Sequence, residues 1–268
     1  MNEPSTPLFQ GSIPQSYEKY LVPLMFDLYG RDLVNRVATH RPQRVLELAC
    51  GTGAVTRLLA KELPNDAKIV ATDISPDMLA FAQTAFNVSS HVEWRVADAC
   101  SLPFEDESFD VILCQFGAMF FPDKSAAMKE AYRVLKPGGA LLFSTWGEKS
   151  GNPLFGLVEE TIENLFPDEE RPVMPTPFLM ADPEAVRTLV QGAGFAKVSV
   201  ELVEIQTGPH PAADIAMGFS TGTPLSAHLL KSGRDMAAVK AAIREAFSSR
   251  FGDPVRCGMV AVVCEATK

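Results

Sequence analysis

The residues best placed to do chemistry are two glycines and several carboxylates at the ends of short apolar runs. V-L-E-L-A-C-G-T-G at 45–53 ends in a glycine turn, and K-I-V-A-T-D at 68–73 is a second run closed by Asp73. Gly51 and Gly53 let the backbone turn tightly and approach a ligand. Asp73 follows Gly53 by 20 residues, where a carboxylate can accept bonds from ribose hydroxyls. This pairing describes a pocket for a nucleoside cofactor. A dinucleotide fingerprint counted from Gly51 needs glycine at position 56, which is Thr56, so a pyrophosphate site is disfavoured. Glu47 points the same way, because a carboxylate there repels phosphate but accepts hydrogen bonds from an ammonium group. An NAD-dependent oxidoreductase on the related doubly wound fold is therefore the weaker alternative. In D-I-S-P-D, Ser75 serves as helix cap with Pro76 at the first helical position, leaving Asp73 free for a ligand.

Further candidates follow along the chain. Asp98, after V-E-W-R-V, can accept from an exocyclic amine while the Ala99 N–H donates to a ring nitrogen. The competing role for Asp98 is to satisfy the backbone of its own loop. Gln115 and Phe116 follow F-D-V-I-L-C, at strand ends where open α/β folds place ligands. Phe116, Met119, Phe120 and Phe121 divide between core and pocket roles. No general base is fixed by the pattern: His210 in T-G-P-H-P leads, with His228 and Tyr17 as rivals, and His40 and His91 border strands away from the pocket. The five cysteines, at 50, 100, 114, 257 and 264, contain no C-x-x-C pair, so neither a disulfide framework nor a metal site is expected.

These residues need elements to hold them. A chain of 268 residues, 47% of them hydrophobic, suits one domain with a sizeable core. The net charge of −9, without a basic block, argues against nucleic acid as a partner. No basic-then-apolar leader and no 18-residue apolar stretch occurs, so a cytoplasmic protein without membrane insertion is expected. Residues 1–14 read as a loose arm. Residues 15–40 read as helical, carrying Tyr17 and Tyr20 and divided by Pro23 and Gly30 into two pieces. Strands near 44–49, 68–72, 92–96, 109–114 and 139–145 then alternate with helices at 54–63, 76–86 and 123–135, with L-K-P-G-G at 135–139 as the turn into the last strand. Beyond Trp146 come a helix at 152–165, a proline-spaced loop, a helix at 182–193, a strand at 196–206, helical stretches at 211–230 and 234–250, and a strand at 257–265. The added stretches are assigned as substrate covers; the alternatives are extra packing on the sheet or a homodimer contact.

E-L-A-C-G-T-G at 47–53, T-D-I-S-P-D-M-L at 72–79, D-A-C-S-L-P-F at 98–104, F-D-V-I-L-C-Q-F at 109–116 and R-V-L-K-P-G-G at 133–139 are specific in their order and spacing. Over roughly residues 15–146 the chain resembles the class I S-adenosylmethionine-dependent methyltransferases, within them the small-molecule enzymes of ubiquinone and menaquinone biosynthesis. The resemblance implies an α/β fold with a Rossmann-like seven-stranded mixed sheet, flanked by helices, whose last strand is antiparallel. The usual tight hairpin before that strand is replaced here by helical sequence. One domain, 1–268, is then divided into an arm and cover helices at 1–40, a cofactor-binding core at 41–146, and substrate-covering insertions at 147–181 and 207–250. The implied cofactor is S-adenosyl-L-methionine, held by Tyr20, Glu47, Ala49, Cys50, Gly51, Gly53, Asp73, Ile74, Met78, Asp98, Ala99, Gln115 and Phe116. Ile74 covers the adenine, Asp98 and Ala99 read its edge, and Gln115 and Phe116 form the floor towards the acceptor. Ala49 departs from the family, which has glycine there; the cofactor fits if position 49 keeps a negative φ. The implied reaction is methyl transfer to a small aromatic or apolar metabolite, oxygen ranking slightly ahead of nitrogen and carbon as acceptor. It depends mainly on alignment at about 3 to 3.5 Å and on excluding water. A non-catalytic partner protein that keeps the pocket as a structural site is the other alternative.

Overall fold

The apolar runs become strands β1 Arg44–Glu47, β2 Lys68–Asp73, β3 Val92–Val96, β4 Phe109–Gln115, β5 Leu135–Trp146, β6 Lys197–Gln206 and β7 Gly258–Thr267. They form one sheet of order β3-β2-β1-β4-β5-β7-β6 in the computed structural model, which describes residues 11, 13–85, 91–167, 176–225, 229 and 233–268. Strands β1 to β5 are parallel, and β7 runs antiparallel between β5 and β6. After its first residue β1 is buried throughout, and so is β2, as strands covered on both faces must be. The strand order reverses between β1 and β4, which opens a crevice at their carboxyl ends. Glu47, Asp73 and Gln115 are the last residues of β1, β2 and β4.

The expected break of the N-terminal helix does not occur. Helix α1, Ile13–Ser16, runs into a π-helix, Tyr17–Phe26, and then into α2, Asp27–Thr39. Pro23 explains the wide segment: in an α-helix its ring strikes the carbonyl four residues back, and it has no N–H to donate. The π turn relieves both faults, and the Asp27 N–H closes the stretch on the Val22 carbonyl. Gly30 is not a breaker either. A Cβ there would lie 3.1 Å from Leu58 Cδ1 and 3.3 Å from Val55 Cγ2, so its absence lets α2 lie against α3, Ala54–Glu62. L-K-P-G-G also departs from expectation. Helix α5, Lys124–Val134, stops there, but Leu135 already pairs with Phe109; K-P-G-G, with Gly138 at φ +77°, is a bulge before pairing resumes at Val111 and Ala140.

The other helices are α4 Pro76–Ala85, α6 Pro153–Leu165, α7 Pro183–Gly192, α8 Ala212–Thr221 and α9 Met236–Phe251. The last two interrupt the chain between β6 and β7. Rings tie them to the sheet: Trp146 stacks on Phe116 at 3.9 Å, Phe155 meets Trp146 at 5.4 Å and Phe219 at 5.7 Å, and Phe219 stacks on Phe247. Tyr29 of α2 donates its hydroxyl to the Met259 carbonyl at 2.6 Å. Residues 1–10, 12, 86, 168–175, 226–228 and 230–232 of the expected arm, helix, loop and cover stretches lie outside the described residues. Among the described residues no helix is long and apolar enough to cross a membrane.

Helix α8 rests directly on the π-helix. A Cβ at Gly218 would lie 2.6 Å from Leu21 Cδ2, and one at Gly222 would lie 3.0 Å from the Tyr17 nitrogen. Because the second obstacle is backbone, Gly222→Ala forces the two segments apart. It should lower stability by about 1 to 3 kcal/mol, read as a lower urea midpoint at unchanged slope; an unchanged midpoint would show that the contact is loose.

Candidate functional site

Glu47 brings a carboxylate to the crevice with only 2% of its surface exposed. Thr56 on α3 donates its hydroxyl to Oε2 at 2.6 Å. Burial, reinforced by the nearby Asp73 charge, pushes the Glu47 pKa up to about 8 despite the Thr56 bond and the more distant Arg57. A cation placed here would restore the ionised form.

The turn that follows is built from left-handed backbone, with Ala49 at φ +52°, Gly51 at +56° and Gly53 at +78°. The negative φ expected at Ala49 is therefore not found. Alanine in this region costs about 1 to 2 kcal/mol, and the surroundings hold it there: a Cβ on Gly117 would come within 2.5 Å of the Ala49 methyl. Gly53 is constrained by space as well as by φ, since a Cβ there would meet the Trp94 ring at 2.9 Å.

Asp73 is not free, contrary to expectation. Its Oδ2 accepts from the Gly51 N–H and its Oδ1 from the Ser75 N–H, each at 2.8 Å. Both bonds fix the carboxylate against the glycine turn, and the Ile74 N–H also bears on it, which leaves the carboxylate part of its accepting capacity. Ser75 does cap α4, accepting from the Met78 N–H at 3.3 Å. Ile74 is 49% exposed and Val96, the neighbour of Asp73 in the sheet register, is 54% exposed, so two apolar side chains flank the carboxylate. Met78 is buried in the core of α4. Asp98 accepts from the Cys100 N–H at 2.8 Å, which is the loop-satisfying role, and Ala99 is buried behind it.

A cavity at the crevice is lined by Tyr17, Phe26, Glu47, Ala49, Cys50, Gly51, Thr52, Ala54, Val55 and Gln115. Five of the expected residues thus meet in its wall: Glu47, Ala49, Cys50, Gly51 and Gln115. Gln115 also donates to the Phe26 carbonyl at 2.7 Å, fastening the π-helix above it. Gly53, Asp73, Ile74, Met78, Asp98, Ala99 and Phe116 are outside the wall, Phe116 at φ +50° and turned into the Trp146 stack. Tyr20 packs its Cβ against Gly218 of α8, and Tyr17 lines the cavity in its place. Tyr17 and Phe26 stack at 4.9 Å to form the roof. They are nine residues apart, two and a half turns of an α-helix, so helical periodicity assigns them to opposite sides. Only the π-helix brings them together. Val96, Phe26 and Thr52 are further residues at the site that the sequence pattern did not single out.

The candidate bases fare poorly. Desolvation, then the Glu18 and Asp73 charges, push the Tyr17 phenol above its ordinary range, so it stays protonated and acts as a donor. His210 pairs with Val255 in a bridge beyond the end of β6, outside the cavity wall, and burial lowers its pKa. His228 lies outside the described residues.

Glu47 gives a pH-dependent stability with a definite sign. Its folded pKa lies above the unfolded value of about 4.3, so its contribution is fully present below that value and is lost as pH rises to about 8. Without ligand, Glu47→Gln should melt above the parent at about pH 8 and lose less Tm than the parent between about pH 5 and pH 8. Parallel melting profiles would mean that water reaches the carboxylate.

The sequence places the chain among known proteins. The methyltransferase domain family matches residues 46–143. The ubiquinone/menaquinone biosynthesis C-methyltransferase of Escherichia coli is 31% identical over 184 residues, covering 64% of this chain and 73% of that protein. The demethylmenaquinone methyltransferase of Lactiplantibacillus plantarum is 45% identical over 101 residues, 37% of this chain and 43% of that one. Among solved structures, the Haemonchus contortus phosphoethanolamine N-methyltransferase 2, complexed with phosphomonomethylethanolamine and S-adenosylhomocysteine, superposes with a TM-score of 0.61 at 19% identity. It covers 95% of this chain and 57% of that one. The YcgJ protein of Bacillus subtilis gives 0.57 at 19% identity, over 90% of this chain and 98% of its own. These superpositions establish the fold, and the E. coli relative establishes the kinship, so the oxidoreductase and non-catalytic alternatives fall away. The chain belongs to the class I S-adenosylmethionine-dependent methyltransferases, resembling those of ubiquinone and menaquinone biosynthesis, and its cofactor is S-adenosylmethionine.

Proposed function

We propose that the chain methylates a small aromatic or apolar metabolite and holds its cofactor in the crevice between the glycine turn and the π-helix. The observation that carries the site is Glu47, a buried carboxylate in the cavity wall whose ionised form needs a cation beside it. The cofactor's amino group is that cation. The remaining lone pairs of Asp73 take the ribose hydroxyls, Ile74 and Val96 flank the base, and Asp98 with Ala99 meets its edge. When bound, S-adenosylmethionine supplies an electrophilic methyl group on a sulfonium, so the chain's own task is alignment and exclusion of water. The roof of Tyr17 and Phe26, backed by α8, serves that second task, with α6 and α9 behind it as covers.

The acidic balance of the chain and the activities for which its relatives are named support a small quinone-like or phenolic acceptor. Of the aromatic residues divided between core and pocket roles, Phe116 is 5% exposed and belongs to the core. Tyr17 and Phe26 are the aromatic wall instead. With Tyr17 held protonated and His210 off the wall, an acceptor that arrives with its own acidic hydroxyl ionised suits the site best. Such an acceptor offers both its oxygen and the ring carbon activated by it. The names of the relatives support carbon, and the family's general frequency supports oxygen.

Asp73→Asn keeps the side chain's shape but removes its charge. It should weaken S-adenosylhomocysteine binding by about 1.5 to 3 kcal/mol in calorimetry; unchanged affinity would place the ribose elsewhere. Turnover of small phenols and hydroquinones with a cofactor labelled in its methyl carbon should give one labelled product, whose carbon NMR shift separates an O-methyl from a C-methyl group. Transfer to nucleic acid, with none to these aromatics, would overturn the assignment of acceptor class.

A further inference from the structure

The cavity lies between a roof on the π-helix and a floor on the glycine turn, and one side chain joins the two. Glu18, next to Tyr17, accepts from the Thr52 hydroxyl through Oε2 and from Arg57 Nη2 through Oε1, both at 2.6 Å. Thr52 belongs to the cavity wall and is 1% exposed, while Arg57 stands in the first turn of α3 behind it. The Glu18 and Arg57 side chains are 23% and 28% exposed, which shields the pair from the screening that makes surface ion pairs weak.

The two ends of the roof are fastened differently. The Phe26 end is tied by Gln115 and continues into α2, which is sealed against the sheet by Tyr29. The Tyr17 end is tied to the floor by Glu18. Upstream of it the Gly11 N–H meets Asp77 in an exposed bond of 2.8 Å. A ligand crossing between Tyr17 and the glycine turn must part Glu18 from Thr52 and Arg57.

We propose that Glu18 is a positioning residue: by pinning the Tyr17 end of the roof to Thr52 and Arg57 it sets the rate at which S-adenosylhomocysteine leaves. This rests on reading the crevice as the cofactor site. Glu18 touches none of the reacting atoms in this scheme, so its loss acts on exchange: release quickens and the KM for cofactor rises. The chemical step, measured in a single turnover at saturating cofactor, falls by a smaller factor.

The test follows displacement of tritiated S-adenosylhomocysteine by an excess of unlabelled ligand. Glu18→Ala should speed release about tenfold, and Glu18→Gln, which keeps an acceptor for Thr52 but loses the charge, by a smaller factor. Arg57→Ala should do likewise, and the double variant should be no faster than the faster single one, because both remove one interaction. Release unchanged in folded Glu18→Gln and Glu18→Ala, judged by circular dichroism, or additive effects in the double variant, would overturn the pin. If Asp73→Asn still weakens equilibrium binding in that case, the site assignment stands and only the pin has failed. If neither Glu18 nor Asp73 matters, the site assignment fails with it.

Discussion

A carboxylate buried at the end of β1 is the constraint around which this site is arranged. Glu47 is held above its ordinary ionisation range by desolvation and by Asp73, so the folded chain without a cation carries an unfavourable group at its centre. Left-handed, non-glycine backbone lies beside it, at Ala49 on the end of β1 and Phe116 on the end of β4. Strain and desolvation of this kind persist only where the surroundings over-determine them. Here two fully covered parallel strands, the Asp73 clamp on Gly51 and the stack of Phe116 on Trp146 leave the turn no other conformation. What destabilises the fold locally is also what keeps the site shaped for a cationic cofactor.

Much of this was legible in the sequence because it is local. Continuous apolar runs marked β1 and β2, their last residues marked the crevice, and D-I-S-P-D marked a capped helix. What was not legible depends on contacts between distant segments. Nothing in E-L-A-C-G-T-G says that Ala49 adopts a positive φ, since the reason is its methyl lying against Gly117. Asp73 reads as free in sequence because the bond to Gly51 closes only when β1 and β2 stand side by side. The pairing of Tyr17 with Phe26 was hidden by an assumption of α-helical period, and Pro23, taken as a breaker, is the residue that makes the π-helix favourable. Asp98 is ambiguous in another way: one carboxylate oxygen serves its loop while the residue stays exposed, so both roles fit one residue.

The placement of α8 and α9 also follows from topology. Strand β6 runs in the direction of β1 to β5, because β7 is antiparallel to both β5 and β6. Its end at Gln206 and the start of β7 at Gly258 therefore lie at the carboxyl edge of the sheet, the edge that carries Glu47 and Asp73. Sequence inserted between β6 and β7 emerges at that edge, and here α8 reaches across to the π-helix that lines the cavity. Helix α8 uses this position to press on the π-helix through Gly218 and Gly222, and α9 continues the ring contacts behind it. The N-terminal segment and the insertion, nearly 200 residues apart in sequence, thus become one structure.

That arrangement separates two tasks which a single-layer site would combine. The residues proposed to hold the cofactor come from strand ends whose geometry is fixed by the parallel sheet and leaves little room for variation. The roof and the helices behind it touch the sheet mainly through aromatic packing, which tolerates changes of shape when volume is conserved. Changes in α8 or in the first turns of the π-helix can reshape the roof without moving Glu47 or Asp73. Among the polar bonds that couple the halves are those from Glu18 to Thr52 and Arg57 and from Gln115 to Phe26. Those bonds fasten the Tyr17 and Phe26 ends of the roof to the strand ends and so hold in place the apolar surface that closes the cavity.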